Sequence, residues 1–512
     1  REVELLRTQT RSGLQLEEAQ PDAIASKAFA AGLYGAHPYG RTASSASTRA
    51  ITRGDLTAFQ QARLRPRGAL LVVAGDVTMP QLRTLAEQAF AGWTGYPAAA
   101  PAPAAPPARA RTEILLVHRP GSVQSNILVG NLTGGPADPV RYPATVLNKL
   151  LGGGADARLF DILREKKGWT YGAYTALSRP RGTGTFTASA EVRTEVTDSA
   201  LVELMTQLRR VGAEPVPAAE LDNAKGALVG SFPLTIETAQ QVAEEVAEVQ
   251  TLGLPANYLQ TYRTRLAAVT AADVQQAARR WVRPQGALVV VVGDGAKLYE
   301  RIKGIAPVRI ITPQGDAMTP ADLAPRAVAL ALDASKLRAR RDSFNLLVQG
   351  NALGWVVNAL EKTGDGWTAT SAQSIAGGMV RQSSTTETDA ALSPRRYVMD
   401  GSLQGQPLKG EVTFANGTAT GTAAQPGPAG VQTVKVDVAV PAGTIDDNTV
   451  TWAIEGLAWT AGAKHVVGTF VSGKNAVLPY TLAVTGTEKV TVPAGTFDTF
   501  KVEQTGGEQN PT

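Results

Sequence analysis

The hydrophobic and polar positions fall into two textures. Up to about residue 318, short valine- and leucine-rich runs alternate with stretches whose apolar positions recur every three or four residues. These are the marks of buried strands and amphipathic helices. The runs at 69–74 and 287–292 are too short for helices, and each ends on Gly-Asp (Gly75-Asp76 and Gly293-Asp294). Both are predicted to be buried strands. Further strands are predicted near 114–117, 126–130, 170–177 and 184–192, and helices near 81–90, 142–151, 197–211 and 218–252. Thr52 and Thr270 are each followed three residues later by an aspartate, which suits an N-cap and the positive end of a helix dipole. From about residue 343 the apolar period drops to two, as in Val431-Gln432-Thr433-Val434-Lys435-Val436, with turns such as Asn416-Gly417 between runs. That pattern predicts an all-β antiparallel domain, a curved sheet or half-barrel.

The two strand runs belong to an internal repeat. Residues 51–76 align with 269–294 at a constant offset of 218, with 11 identities in 26 positions. In each copy a capped helix stops at Arg-Pro (Arg65-Pro66, Arg283-Pro284), then the strand follows. The fold class is therefore α+β: two homologous half-domains, the first incomplete, followed by an all-β antiparallel domain. The expected boundaries are 1–96 for the incomplete half and 97–111 for an Ala/Pro-rich linker with five prolines in residues 97–107. They continue with 112–318 for the second half, 319–342 for a helical connector and 343–512 for the β-rich domain. The strands missing from the first half would lie on residues ahead of Arg1.

Composition narrows the chemistry. The 512 residues include no cysteine and three histidines, His37, His118 and His465. Thiolate sites and a local two-histidine zinc motif are excluded. A net charge of +5 without a basic cluster gives no nucleic-acid footprint. No apolar stretch is long enough to be a transmembrane segment. Trp355, Trp367, Trp452 and Trp459 either line an apolar groove or pack a core.

Several motifs in order then carry a resemblance. They are His37-Pro38-Tyr39-Gly40-Arg41, the helix–stop–strand signature through Gly75-Asp76, Leu151-Gly152-Gly153-Gly154 with Arg158-Leu159-Phe160, and Leu163-Arg164-Glu165-Lys166-Lys167-Gly168-Trp169-Thr170-Tyr171. Over about residues 1–310 the chain resembles the insulinase/pitrilysin family of zinc metallopeptidases, in particular its bacterial members similar to mitochondrial processing peptidase. The resemblance implies a clamshell of half-domains around a peptide chamber. It places zinc on a His-x-x-Glu-His motif in one half, and a transition-state-supporting Arg and Tyr, seven residues apart, in another.

The zinc motif is absent here. An Arg-Glu pair matches Arg1-Glu2, so the position of the third zinc ligand falls on Gln9; a shifted alignment would put Glu4 there. The Arg/Tyr pair is present as Arg164 and Tyr171, with Gly168 as the turn between them. A guanidinium can grip a substrate carbonyl, and a phenol can donate to the developing oxyanion. In the plainer reading, Arg164 caps a helix end and Tyr171 packs on the sheet. Gly152, Gly153 and Gly154 would let a helix end approach the chamber. The expectation is a chain with no cofactor of its own, inactive alone, that grips a peptide substrate for a zinc-bearing half. That half is either part of the same polypeptide or a separate subunit. The alternative is a non-catalytic structural or peptide-binding subunit of a cell-envelope complex, and a weaker idea is lipid binding by the β domain. The resemblance and the β domain suggest the periplasm or cell envelope of a bacterium.

Overall fold

The computed structural model describes residues 2–100, 102–323, 330–348, 351–427, 430–492 and 495–505. The chain divides into two compact units, one of Arg1–Arg119 with Val123–Met318, the other of Thr319–Thr512 with Pro120–Ser122. The first is α+β and the second is rich in β-sheet.

Seven strands form the sheet of the first unit: β1 (Glu113–His118), β2 (Gln124–Leu132), β3 (Thr170–Ser178), β4 (Thr185–Arg193), β5 (Leu288–Gly293), β6 (Val308–Ile311) and β7 (Ala317–Met318). Their order is β3-β4-β2-β5-β1-β6-β7. The predicted run at 287–292 thus becomes the central strand, parallel to β1 and antiparallel to β2. All six residues of β5 are buried, as a strand covered on both faces requires. On one face, Ile24, Ala25, Phe29 and Leu33 of helix Pro21–Tyr34 pack against Leu115, Val117, Leu288, Val290 and Val292. On the other, Val202 and Met205 of helix Thr197–Ala213 line the same small pocket as Ile114 and Val289. Helix Arg141–Gly152 packs between helix Ala271–Trp281 and strand β3.

Three expectations change. The run at 69–74 is not a strand: it has no regular secondary structure and pairs with no other strand, and Leu70, Leu71 and Val73 are exposed at 53%, 55% and 44%. A strand needs a neighbour to take its backbone hydrogen bonds, and among described residues 2–100 there is no other strand. The helical stretch at 218–252 is three pieces, Ala218–Ser231, a 3-10 turn Phe232–Ile236 and Ala239–Thr251. Pro233 falls in that turn, where its ring cannot continue the helix. Among its described residues the connector at 319–342 is helical only in two 3-10 turns, Pro320–Leu323 and Ala334–Lys336, and a strand already begins at Arg340. Its residues 324–329 lie outside the described ones. Leu337 is buried in the core of the second unit, with Leu330 and Leu332 packed against it, so apolar burial rather than helix propensity sets this segment.

The second unit holds an eight-stranded antiparallel meander, with strands in sequence order from Arg340–Val348 to Gly430–Ala439, and a smaller four-stranded sheet. Two-residue turns set the register; at Asn416-Gly417 both φ angles are positive, 50° and 72°, which Asn and Gly tolerate best. Trp452, 1% exposed on helix Val450–Gly456, shares a core with Leu360, Trp367, Leu478 and Leu482. Of the four tryptophans considered as a groove, Trp367 and Trp452 are core, Trp459 packs beside that core, and Trp355 is exposed.

Candidate functional site

The segment carrying Arg164 and Tyr171 is a helix end, a turn and an edge strand. The helix starts at Arg158–Phe160 and widens over Asp161–Lys166 into a π-turn. Its bonds step outward: Lys167 N–H donates to Ile162 C=O at 3.1 Å, and Trp169 N–H donates to Leu163 C=O at 3.0 Å. The wider turn inserts a residue into the helix, a distortion that recurs at functional sites. Leu159, Phe160 and Leu163 are buried and anchor it. Arg164 is left about half exposed, its guanidinium 4.8 Å from the Phe160 ring centre, with Nε 3.5 Å from the Glu165 carboxylate. The stacking fixes the guanidinium plane while leaving most donors open. Gly168 closes the turn at φ 60°, where a side chain would be strained.

Strand β3 follows at the edge of the sheet, and it is bulged at its start. Thr170 pairs with Val192 and Ala173 with Ala190, so Tyr171 and Gly172 together oppose Glu191 alone. The Thr170 hydroxyl holds this bulge, bonding the Glu191 carbonyl at 2.6 Å and accepting from Gly172 N–H at 3.1 Å. Bulges re-aim side chains. Tyr171 stands 72% exposed rather than packed on the sheet. The polar and ring partners of the Arg164 guanidinium are Glu165 and Phe160.

The glycine segment braces the same strand. A Cβ on Gly152 would overlap the amide nitrogen of Thr175 and lie 2.7 Å from the Tyr174 carbonyl carbon. The Thr175 hydroxyl donates to Asn148 C=O at 2.9 Å, tying the helix end to β3. Lys149 and Asp156, 2.7 Å apart, clamp the loop across Gly153 and Gly154. That bond holds the Asp156 carboxyl below the usual carboxylate range.

The described residues do not fit a zinc ion. His37 accepts from Tyr39 N–H at 3.1 Å and stacks on Tyr34. His118 accepts from Gly295 N–H at 3.0 Å, and burial pulls its pKa down, against the Asp294 charge. His465 bonds the Ala458 carbonyl at 2.8 Å. Each imidazole is committed to local structure. Gln9 is exposed on helix Glu2–Ala19, Glu4 pairs with Arg7, and Arg1 lies outside the described residues. Among the described residues no three His, Cys, Asp or Glu side chains are grouped to hold a metal.

Sequence reasoning missed two clusters. Arg141 is buried against the Tyr258 ring at 4.5 Å and donates to its hydroxyl at 2.9 Å; burial raises the Tyr258 pKa. Asp446 is buried between the two sheets of the second unit. Its only sequence mark is the repeated Pro-Ala-Gly-Thr before an aspartate, at 441–444 and 493–496. Pro493 and Ala494 of the second copy lie outside the described residues, and Asp498 there pairs with Lys489 at 3.3 Å.

The first unit is thus an α+β domain with a bulged, tyrosine-bearing edge strand, and its described residues hold no cluster suited to a metal ion. Residues 50–228 match the family model described as the peptidase M16 inactive domain. Residues 343–511 match a family described as a protein of unknown function (DUF3108). An uncharacterized zinc protease of Mycobacterium leprae is 28% identical over 243 residues, 46% of this chain and 54% of that protein. One from Streptomyces coelicolor is 25% identical over 273 residues, 52% of this chain and 59% of that protein. The chain thus spans little more than half the length of these relatives. Among solved structures, a peptidase M16 inactive domain from Pseudomonas fluorescens superposes with a TM-score of 0.50 at 25% identity, over 57% of this chain and 70% of that one. A protease from Helicobacter pylori shares the fold, with a TM-score of 0.52 at 20% identity over 57% and 71% of the two chains. The first unit carries an inactive-type domain of the M16, or insulinase, peptidase family, and the β-rich unit is appended to it.

Proposed function

We propose that this chain is the substrate-gripping side of a two-sided peptidase whose metal centre lies on a partner half, in the same polypeptide or in a separate subunit. The observation that carries the reading is the presentation of Tyr171, 72% exposed on the bulge of an edge strand and seven residues after Arg164. Arg164 would hold a backbone carbonyl of an extended peptide. The Tyr171 phenol would donate to oxygen charge that builds up during cleavage, at a site dried by the partner's approach. The open edge of β3 ahead of Tyr174 suits an extended chain, which can add to a sheet edge through its backbone. We also read residues 1–96 and 112–318 as half-domains of common origin. The capping boxes support this: the Thr52 and Thr270 hydroxyls both sit 2.7 Å from their aspartates, and the return amide bonds are both 3.2 Å. A bacterial envelope location rests on the resemblance and is open to test by fractionation.

The test is cleavage of an unstructured peptide by the chain alone, by the zinc-bearing half alone, and by the two together. Turnover is expected only in the combination. Peptide binding without turnover in the combination would favour the non-catalytic reading. Elemental analysis should find less than one zinc per chain.

A further inference from the structure

Helix Thr197–Ala213 leaves a cavity where it crosses the sheet. Val202, Met205 and Arg209 recur on one face of that helix, and all three line the space, of about 150 Å³, with Ile114 of β1 and Val289 of β5. The floor is apolar: Ile114 is fully buried, and Val289 and Met205 are 1% and 7% exposed. Polar side chains enter the lining from Thr112, Arg209 and Gln285 alone. The Thr112 hydroxyl is committed as a donor to Pro284 C=O. Arg209 and Gln285 are exposed at the rim, and neither has a hydrogen-bond or ion-pair partner among the described residues. Val202 beside them is 46% exposed, an apolar side chain left uncovered at the mouth.

An apolar floor with one uncompensated cation and one amide at its edge has a defined complement. An apolar cavity of about 150 Å³ takes up a benzene-sized molecule, so a long acyl chain is too large. A single guanidinium matches a single carboxylate. A second negative charge would face the apolar floor without a partner, and a cation would be repelled by Arg209. We propose that this cavity binds a small hydrophobic monocarboxylate, with its apolar group against Met205, Ile114 and Val289, its carboxylate on Arg209, and the Gln285 amide as a second donor. Two sources share that chemistry: a free aryl or branched-chain acid, and the apolar C-terminal residue of a peptide. None of the lining residues belongs to the segment that carries Arg164 and Tyr171, so the site holds whether or not the assembly cleaves peptides.

The probes are phenylacetate, its neutral amide phenylacetamide, and the tripeptide Gly-Gly-Phe with a free or an amidated C-terminus, each titrated into the full chain. With five methionines in the sequence, the Met205 methyl group gives a separate NMR signal in methionine-labelled protein, assigned by its loss in Met205→Leu. Phenylacetate is expected to shift that signal saturably and to bind about tenfold or more tightly than phenylacetamide, the margin of a charge-assisted hydrogen bond. Arg209→Gln should bring the acid down to the affinity of the amide. Val202→Trp, at an exposed helix position, should fill the mouth and abolish binding of both, with the other methionine signals reporting that the variant stays folded. A shift from the free tripeptide as strong as that from phenylacetate identifies a peptide end as the source, and a shift from phenylacetate alone identifies a free acid; either upholds the site. No shift at Met205, equal affinity for acid and amide, or unchanged acid binding in Arg209→Gln overturns the proposal. So does undiminished binding in Val202→Trp, which would put the ligand elsewhere.

Discussion

Gly152 meets Thr175 backbone to backbone: a methyl group on Gly152 would overlap the Thr175 amide nitrogen. Alanine normally favours a helix over glycine by about 1 kcal/mol. Here overlap with a strand backbone opposes that gain, and overpacking costs about 1–3 kcal/mol. Gly152→Ala is therefore expected to destabilise the first unit and to disturb β3. Gly226, exposed in helix Ala218–Ser231 with open space at its missing Cβ, is the control. Gly226→Ala should stabilise by about 0.5–1 kcal/mol. Denaturant midpoints of the two variants should move in opposite directions, and movement in the same direction would refute the close-approach argument.

Arg164 and Tyr171 should separate kinetically in the assembled peptidase. A group that holds ground-state peptide raises KM when removed, whereas a donor to transition-state charge lowers kcat. Arg164→Ala is expected mainly to raise KM. Tyr171→Phe should lower kcat roughly 100-fold, the lower end for losing an oxyanion donor, with KM little changed. Steady-state kinetics on a peptide of defined sequence checks this. Unchanged constants for both variants would remove the pair from the site.

The two capping boxes are a matched experiment inside one chain. Thr270 caps a helix whose Val274, Ala277, Ala278 and Trp281 are buried, while the helix capped by Thr52 has no buried residue. Loss of a cap costs about 1 kcal/mol, but it registers in global unfolding only where the helix is coupled to the core. Thr270→Ala should lower global stability by about that amount, and Thr52→Ala should leave the unfolding midpoint nearly unchanged. Thermal melts of the two variants check this directly.

The same contrast explains what was legible in the sequence. Strands β1 to β5 could be read from short apolar runs bounded by turns, because the core that buries them is nearby and valine-rich. The run at 69–74 carries the same pattern and failed, since pattern reports capacity for a strand and pairing needs a neighbour. Packing of Phe29 and Leu33 against Leu288 joins residues far apart in sequence, and local periodicity has no access to it. At the site, the seven-residue spacing was visible, but the π-turn at Arg164 and the bulge at Tyr171 were not. Both are one-residue insertions into regular geometry, set by tertiary contacts of Phe160 and Thr170.

Asp446 offers a pH-dependent test in the second unit. Its Oδ1 accepts from the Thr386 hydroxyl at 2.9 Å and from Asn448 N–H and Nδ2 at 3.1 Å and 2.8 Å, while Oδ2 is buried without a partner. Burial raises its pKa to about 6, and the bonds from Asn448 and Thr386 offset only part of that. Asp447 beside it is also raised by burial, against its bond from Tyr480. An unfolded aspartate titrates near 3.9. Between those values the unfolded chain has released the proton and the folded chain keeps it, so this group's stabilisation falls as pH rises from about 4 to about 6, then levels. Carboxyls such as Asp156 and Asp273, held low by their hydrogen bonds, drive the opposite trend at lower pH. The clean readout is therefore the stability of the unaltered chain minus that of Asp446→Asn, whose amide keeps the same acceptor oxygen but cannot ionise. That difference should shrink, or reverse in favour of the variant, across pH 4 to 6, by at most about 3 kcal/mol, and stay flat from pH 7 to 8. Urea unfolding followed by tryptophan fluorescence, where Trp452 reports the core of the second unit, measures it. A difference independent of pH over the lower range would mean that Asp446 is ionised in its buried site.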